Sequence, residues 1–86
     1  MASEHTVAAV KDIIGEALGL GERARGYDAH TALLGAVPEF DSIAVVTVLG
    51  MVEERFDIDI MDDEVDTDAF ESIGALADFV ERKLAG

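Results

Sequence analysis

The chain has 86 residues, half of them apolar, and its 19 acidic side chains against 6 basic ones give a formal charge of −13. That length allows one domain, expected to span 1–86, and the apolar half excludes an intrinsically disordered chain. The charge excludes nucleic acid and anionic membranes as partners and steers basic protein faces toward the chain. With no cysteine there is no disulfide framework, and a reducing cytoplasm is the expected setting.

Met1 to Ala9 lacks the basic stretch and apolar run of a secretory leader, and no apolar run reaches the length of a membrane span. A soluble monomer is expected. The aromatic residues are Tyr27, Phe40, Phe56, Phe70 and Phe79, so the core must be mainly aliphatic.

Val7, Val10, Ile14, Ala17 and Leu18 recur at helical spacing, with Lys11, Asp12 and Glu16 off that stripe. The spacing predicts a first amphipathic helix, entered near Ser3 or Thr6 and stopped by Gly19-Leu20-Gly21. From Leu20 to Phe40 no period is sustained, and Gly21, Gly26, Gly35 and Pro38 punctuate the segment. Tyr27, Leu33, Leu34, Val37 and Phe40 predict a long loop pinned onto the core, with one short helical turn.

Ser42 to Phe56 carries two conflicting signals. Val45-Val46-Thr47-Val48 is rich in β-branched residues, which favour strands. Strict alternation is absent, however, and Val45, Val48, Val52 and Phe56 form an i, i+3, i+7, i+11 stripe. Asp41 or Ser42 can cap the start, so the segment is read as a second helix. Its other side is also apolar, with Ile43, Ala44, Val46, Leu49, Gly50 and Met51 leaving Thr47 as the polar exception.

Asp57 to Asp68 is an acidic connector in which Ile58, Ile60 and Val65 reach the core, with a short helix around 62–66. Ser72 then caps a last helix carrying Ile73, Leu76, Ala77, Val80 and Leu84 at helical spacing, with Arg82 and Lys83 at its negative end. The fold class is all-α: a small bundle of three main helices plus one short one, with a long loop between the first and second.

No catalytic triad or metal-ligand cluster is present. Asp57, Asp59, Asp62, Asp63 and Glu64 invite comparison with a Ca²⁺ loop, but that loop needs an oxygen ligand at its fifth position and glycine at its sixth. Counted from Asp57, those positions hold Met61 and Asp62. His5 and His30 are isolated and read as exposed bystanders. The chain is therefore not expected to be an enzyme or to hold a metal.

One short run stands apart. Within Pro38-Glu39-Phe40-Asp41-Ser42-Ile43-Ala44-Val45-Val46, a serine follows an acid at the mouth of an apolar helix. Leu33-Leu34-Gly35 precedes it, the first helix reads Val10-Lys11-Asp12-Ile13-Ile14-Gly15-Glu16-Ala17-Leu18-Gly19, and the last contains Ile73, Ala75, Leu76, Asp78, Phe79 and Val80. Nearly the whole chain in this pattern resembles acyl carrier proteins, whose Asp-Ser-Leu motif bears 4′-phosphopantetheine on the serine. The stretch from Phe40 to Val46 resembles carriers found beside exosortase-type gene clusters.

The resemblance implies that Ser42 receives 4′-phosphopantetheine from coenzyme A through a phosphopantetheinyl transferase, with Asp41 as its motif partner. It implies a discrete acyl carrier holding acyl groups as thioesters in fatty-acid, polyketide or specialised acyl-transfer metabolism. Partner enzymes would be a ligase, synthase or acyltransferase with a basic or mixed apolar docking face. Ile43, Val46, Leu49, Met51, Glu53, Glu54, Ile58 and Ile60 are the residues expected to face partner or acyl chain. Family members commonly place acids along the exposed first half of this helix, where the present chain has Ala44 and Thr47. An aminoacyl or peptidyl carrier is the alternative, followed by a Ca²⁺-responsive helical module or an acidic adaptor without a prosthetic group.

Overall fold

A computed structural model describes residues 3–33, 41–61, 64–65 and 67–85. Three α-helices carry the fold: α1 at Glu4–Ala17, α2 at Ser42–Phe56 and α3 at Ile73–Ala85. Short 3₁₀ helices lie at Gly21–Gly26 and Thr67–Phe70. Among the described residues there is no strand, although Ala32 and Ser72 form an isolated antiparallel bridge.

α1 begins where the Ser3 hydroxyl accepts from the Thr6 N–H at 3.3 Å, satisfying a donor that the helix itself leaves unpaired. It ends where Gly19 adopts φ 63°, a left-handed conformation that costs glycine little, and the Leu20 N–H returns to the Gly15 carbonyl at 2.9 Å. Leu20 is thereby turned into the core. Ala24 of the following 3₁₀ helix is buried too, so the first part of the interhelix segment is ordered by packing. Sequence reading expected a single turn there and did not place Leu20 or Ala24 inside. The expected packing of Leu34, Val37 and Phe40 falls outside the described residues.

α1 packs against both α2 and α3. Among the described residues the largest fully buried side chains are Val10, Ile14, Leu33, Val48, Val52, Ile73, Leu76 and Val80, a small aliphatic core drawn from all three helices and the loop. Leu33 is held there by backbone bonds that flank the bridge: its N–H donates to the Glu71 carbonyl, and the Ile73 N–H donates to that of Thr31, both at 3.0 Å. Ser72 caps α3 by accepting from the Ala75 N–H at 3.1 Å. The first and last helices are also stitched at their edges, since Glu81 Oε2 accepts from the Ser3 N–H at 2.8 Å. Hydrogen bonds from the Ser3 backbone first, then from the Thr6 and Ser3 hydroxyls, hold the Glu81 carboxyl below the usual glutamate range.

Two expectations are adjusted. The inner line of α2 is Ala44, Val48 and Val52, spaced by four, with Val45 and Phe56 only partly buried beside it. Ala44 is therefore core and does not occupy an exposed docking position. The short helix described in the connector is Thr67–Phe70, which buries Ala69 and Phe70; of the expected helix at 62–66, residues 62, 63 and 66 lie outside the described set, and the Glu64 N–H closes a turn onto the Met61 carbonyl.

Candidate functional site

Asp41 sits in extended conformation, and its Oδ1 accepts from the Ala44 N–H at 2.9 Å while its carbonyl accepts from the Val45 N–H at 2.9 Å. That geometry makes Asp41 the N-cap of α2, settling which of Asp41 and Ser42 caps, and places Ser42 at the first helical position. The first-turn N–H groups of a helix lie outside its own ladder, and the helix dipole adds partial positive charge, so an anion there is favoured. A phosphodiester at Ser42 fits this position, with the Asp41 carboxylate next door opposing the added charge only slightly.

Beyond Ser42 the outer side of α2 is uncharged for three turns. Ile43 is 76% exposed and Val46 70%, high values for such side chains. Thr47 is exposed, but its hydroxyl donates back to the Ile43 carbonyl at 3.1 Å. The one polar group in this stretch is thus occupied within the helix. At about 100° per residue, Ile43, Val46, Thr47, Gly50 and Glu54 lie on one outward stripe.

The other expected partner-facing residues are distributed differently. Leu49 and Met51 are half-buried on opposite flanks of α2 and pack against the core. Met51 lies about 13 Å along the axis from Ser42 and half a turn around it, so it does not share the Ser42 neighbourhood. Glu54 is exposed. Glu53 works inside the chain: its Oε2 accepts from the Ile60 N–H at 2.9 Å, and its carbonyl receives the Ile58 N–H at 3.1 Å after Asp57 reverses the chain at φ 55°. Ile58 and Ile60 are partly buried against the core, with Val65. Glu64 pairs with Lys83 of α3, and that hydrogen bond, together with one from the Met61 N–H, lowers the Glu64 carboxyl pKa.

Ser42, Asp41, Ile43 and Val46 are therefore brought together at the mouth of α2, and Ile58 and Ile60 belong to a separate, inward group. A cleft of about 680 Å³ lies elsewhere, between α1, the 27–30 segment and the start of α3, walled by Val7, Ala8, Tyr27, Ala29 and Ala75. Met61, 61% exposed on the connector, was not among the residues expected to face a partner. No group of three or more potential metal-ligating side chains occurs among the described residues, and no helix among them is long and apolar enough to cross a membrane.

Known proteins share this fold. Residues 8–80 match the family described as phosphopantetheine attachment site. The solution NMR structure of a holo acyl carrier protein from Nitrosomonas europaea is similar, with a TM-score of 0.88 and 46% identity, covering 98% of this chain and 100% of that one. No curated protein matches by sequence. The chain belongs to the acyl carrier family, non-catalytic proteins that bear a covalent 4′-phosphopantetheine.

Proposed function

We propose that Ser42 is the attachment residue and that the protein is a discrete acyl carrier serving a dedicated loading enzyme in acyl-transfer metabolism. The observation that carries this is the position of Ser42, first in α2 behind the Asp41 cap and inside the matched region 8–80. A phosphopantetheinyl transferase would join the Ser42 oxygen to the phosphorus that carries pantetheine in coenzyme A. The bond to 3′-phospho-AMP breaks, that leaving group takes the electron pair, and the serine proton passes to the transferase or solvent. When bound, the arm supplies the thiol that this cysteine-free chain lacks, and an acyl group is held there as a thioester.

The chain's own residues hold the attachment point and set what approaches it. Asp41 fixes the helix start through the Ala44 N–H, and Ile43 and Val46 surround the point with apolar surface. Each such side chain, when buried under a partner, contributes on the order of 1.5–3 kcal/mol. Glu54, exposed and farther along the helix, acts on encounter rate and loses its influence with salt. Lack of cysteine suits work in a reducing cytoplasm.

Incubation with a broad-specificity transferase and coenzyme A, followed by mass measurement, tests this directly. Wild type should gain one phosphopantetheine and Ser42→Ala none, with circular dichroism unchanged. Modification of the alanine variant, at Thr47 or Ser72 for example, would sink the assignment. An aminoacyl group in place of an acyl group on the cognate-loaded protein would favour the aminoacyl-carrier alternative.

A further inference from the structure

The cleft between α1 and α3 takes no part in presenting Ser42, since no described residue of α2 lines it. α1 supplies Glu4, Val7, Ala8 and Lys11, spaced i, i+3, i+4 and i+7 so that they share one face. The other walls are the segment 27–30 and the start of α3. Those two walls are locked together: the Gly74 N–H donates to the Ala29 carbonyl at 2.8 Å, and a Cβ at Gly74 would stand 2.7 Å from that oxygen. Asp28 ties the segment to itself, accepting from the His30 N–H at 2.9 Å and donating its own N–H to the Thr31 hydroxyl at 2.8 Å. The cleft is built into the fold.

Its chemistry has two parts. Val7, Ala8, Tyr27, Ala29 and Ala75 make an apolar floor. Around that floor stand the carboxylates of Glu4, Asp28, Glu71 and Asp78, against the ammonium of Lys11 and the ring of His30. Lys11 Nζ donates to the Arg25 carbonyl at 3.1 Å, and Asp28 serves its own turn. Glu4, Glu71 and Asp78 are thus the groups placed to meet an incoming cation. An apolar floor under an acidic rim suits an occupant that is apolar on one side and basic on its flanks.

We infer that this cleft is a docking groove for a basic amphipathic helix of a partner protein. From Glu4 to Lys11 it runs about 10 Å along α1, the length of about two helical turns. It is open along one side and would leave much of a small molecule in water, whereas small-molecule sites enclose most of their ligand. Among the described residues no strand offers an edge to an extended peptide, which leaves a helix laid between helices as the mode of recognition. A second copy of this chain would bring another charge of −13 to an acidic rim. A basic helix gains twice, covering its apolar stripe on the floor and setting its cations against Glu4, Glu71 and Asp78. The carrier can then be held through α1 and α3 by one protein while the start of α2 stays open to another. None of this depends on the Ser42 assignment.

The probe is a leucine–lysine peptide of about 14 residues with its leucines on one helical face, and a scrambled peptide of the same composition is its control. Amide NMR spectra map the site and calorimetry gives the affinity. Wild type should bind with a Kd below about 1 mM, and the scrambled peptide about tenfold more weakly. The largest shifts should fall at Val7, Ala8, Ala29 and Ala75, a map that needs no variant. Glu4→Gln with Asp78→Asn should weaken binding about fivefold. Glu54→Gln with Asp59→Asn makes the same change in net charge at exposed sites away from the cleft and should weaken it less than about twofold. Thermal melts check that both pairs remain folded, and Ser42→Ala should bind the peptide like wild type. Shifts centred on Ile43 and Val46, equal weakening by the two pairs, equal binding of the scrambled peptide, or no binding would each overturn the inference. Octylammonium that shifts the same amides with a similar Kd would overturn it too, by assigning the cleft to a small amphiphilic cation.

Discussion

α2 and α3 are both short, both rich in aliphatic residues and both opened by a capping side chain, yet they use their outer sides differently. α3 buries Ile73, Leu76, Ala77, Phe79 and Val80, and its outward groups still serve the chain: Glu81 holds Ser3, and Lys83 holds Glu64. The outer side of α2 presents Ile43, Val46 and Gly50 to solvent, and Thr47, the polar group among them, bonds back to the helix backbone. Stability of the isolated chain accounts for α3. It does not account for the outside of α2, where apolar exposure and a mid-helix glycine both work against the folded monomer.

The sharpest way to break that contrast is truncation on each helix. Leu76→Ala, at a site with no exposure, should cost about 2–5 kcal/mol, enough to unfold much of a domain this small. Val46→Ala should cost less than about 0.5 kcal/mol in the same urea titration. Comparable losses would mean that the outer side of α2 supports the fold after all.

Smaller effects are expected at the two ends of α2, with opposite signs. Asp41→Ala removes the bond to the Ala44 N–H and should cost about 1 kcal/mol. Asp57→Gly should stabilise by about 0.5–1 kcal/mol, because Asp57 holds φ 55° where glycine is unstrained. Thermal melts of the two variants check the pair.

Acid should act on α3's ties more than on α2. The Glu64 and Glu81 carboxyls are held below the ordinary glutamate value of about 4.3. Their contribution is therefore complete above that value and is lost as pH falls through the lowered folded one. Relief of repulsion among the many acids works the other way, so the informative quantity is the difference between wild type and Glu81→Gln. Melts from pH 7 to pH 3 should show the two converging as pH falls. A constant gap would separate Glu81's role from its charge. The smallest effect belongs to Thr47→Val, which removes a hydroxyl bonded only within its own turn and should shift stability by no more than about 0.5 kcal/mol.

Much of this contrast was legible in the sequence. The Ser42–Phe56 bounds follow from Asp41 and from a non-alternating apolar run, even though Val45-Val46-Thr47-Val48 favours a strand locally. Ser3 and Ser72 likewise announced α1 and α3. What could not be read was rotation and long-range bonding. An almost uniformly apolar helix does not declare its inner line, so Ala44 read as surface although it packs inward. Glu53 looked like a docking acid because nothing in its neighbours foretells that a carboxylate will meet the Ile60 N–H seven residues on. The short turn expected between Leu20 and Phe40 is the 3₁₀ helix at Gly21–Gly26, whose bounds could not be read because only Leu20 and Ala24 mark them.

The stitch between Glu81 and Ser3 joins residues 78 positions apart, and with it the pairing of α1 and α3 across nearly the whole sequence. Closing so long a loop is entropically costly before any contact rewards it, so in refolding this seam should form after α2 has settled on α1. Until then the apolar stripe of Val10, Ile13 and Ile14 is only half covered. Val80→Ala should accordingly speed unfolding far more than it slows folding in stopped-flow denaturant jumps, and a mainly slowed folding limb would place the seam in the nucleus.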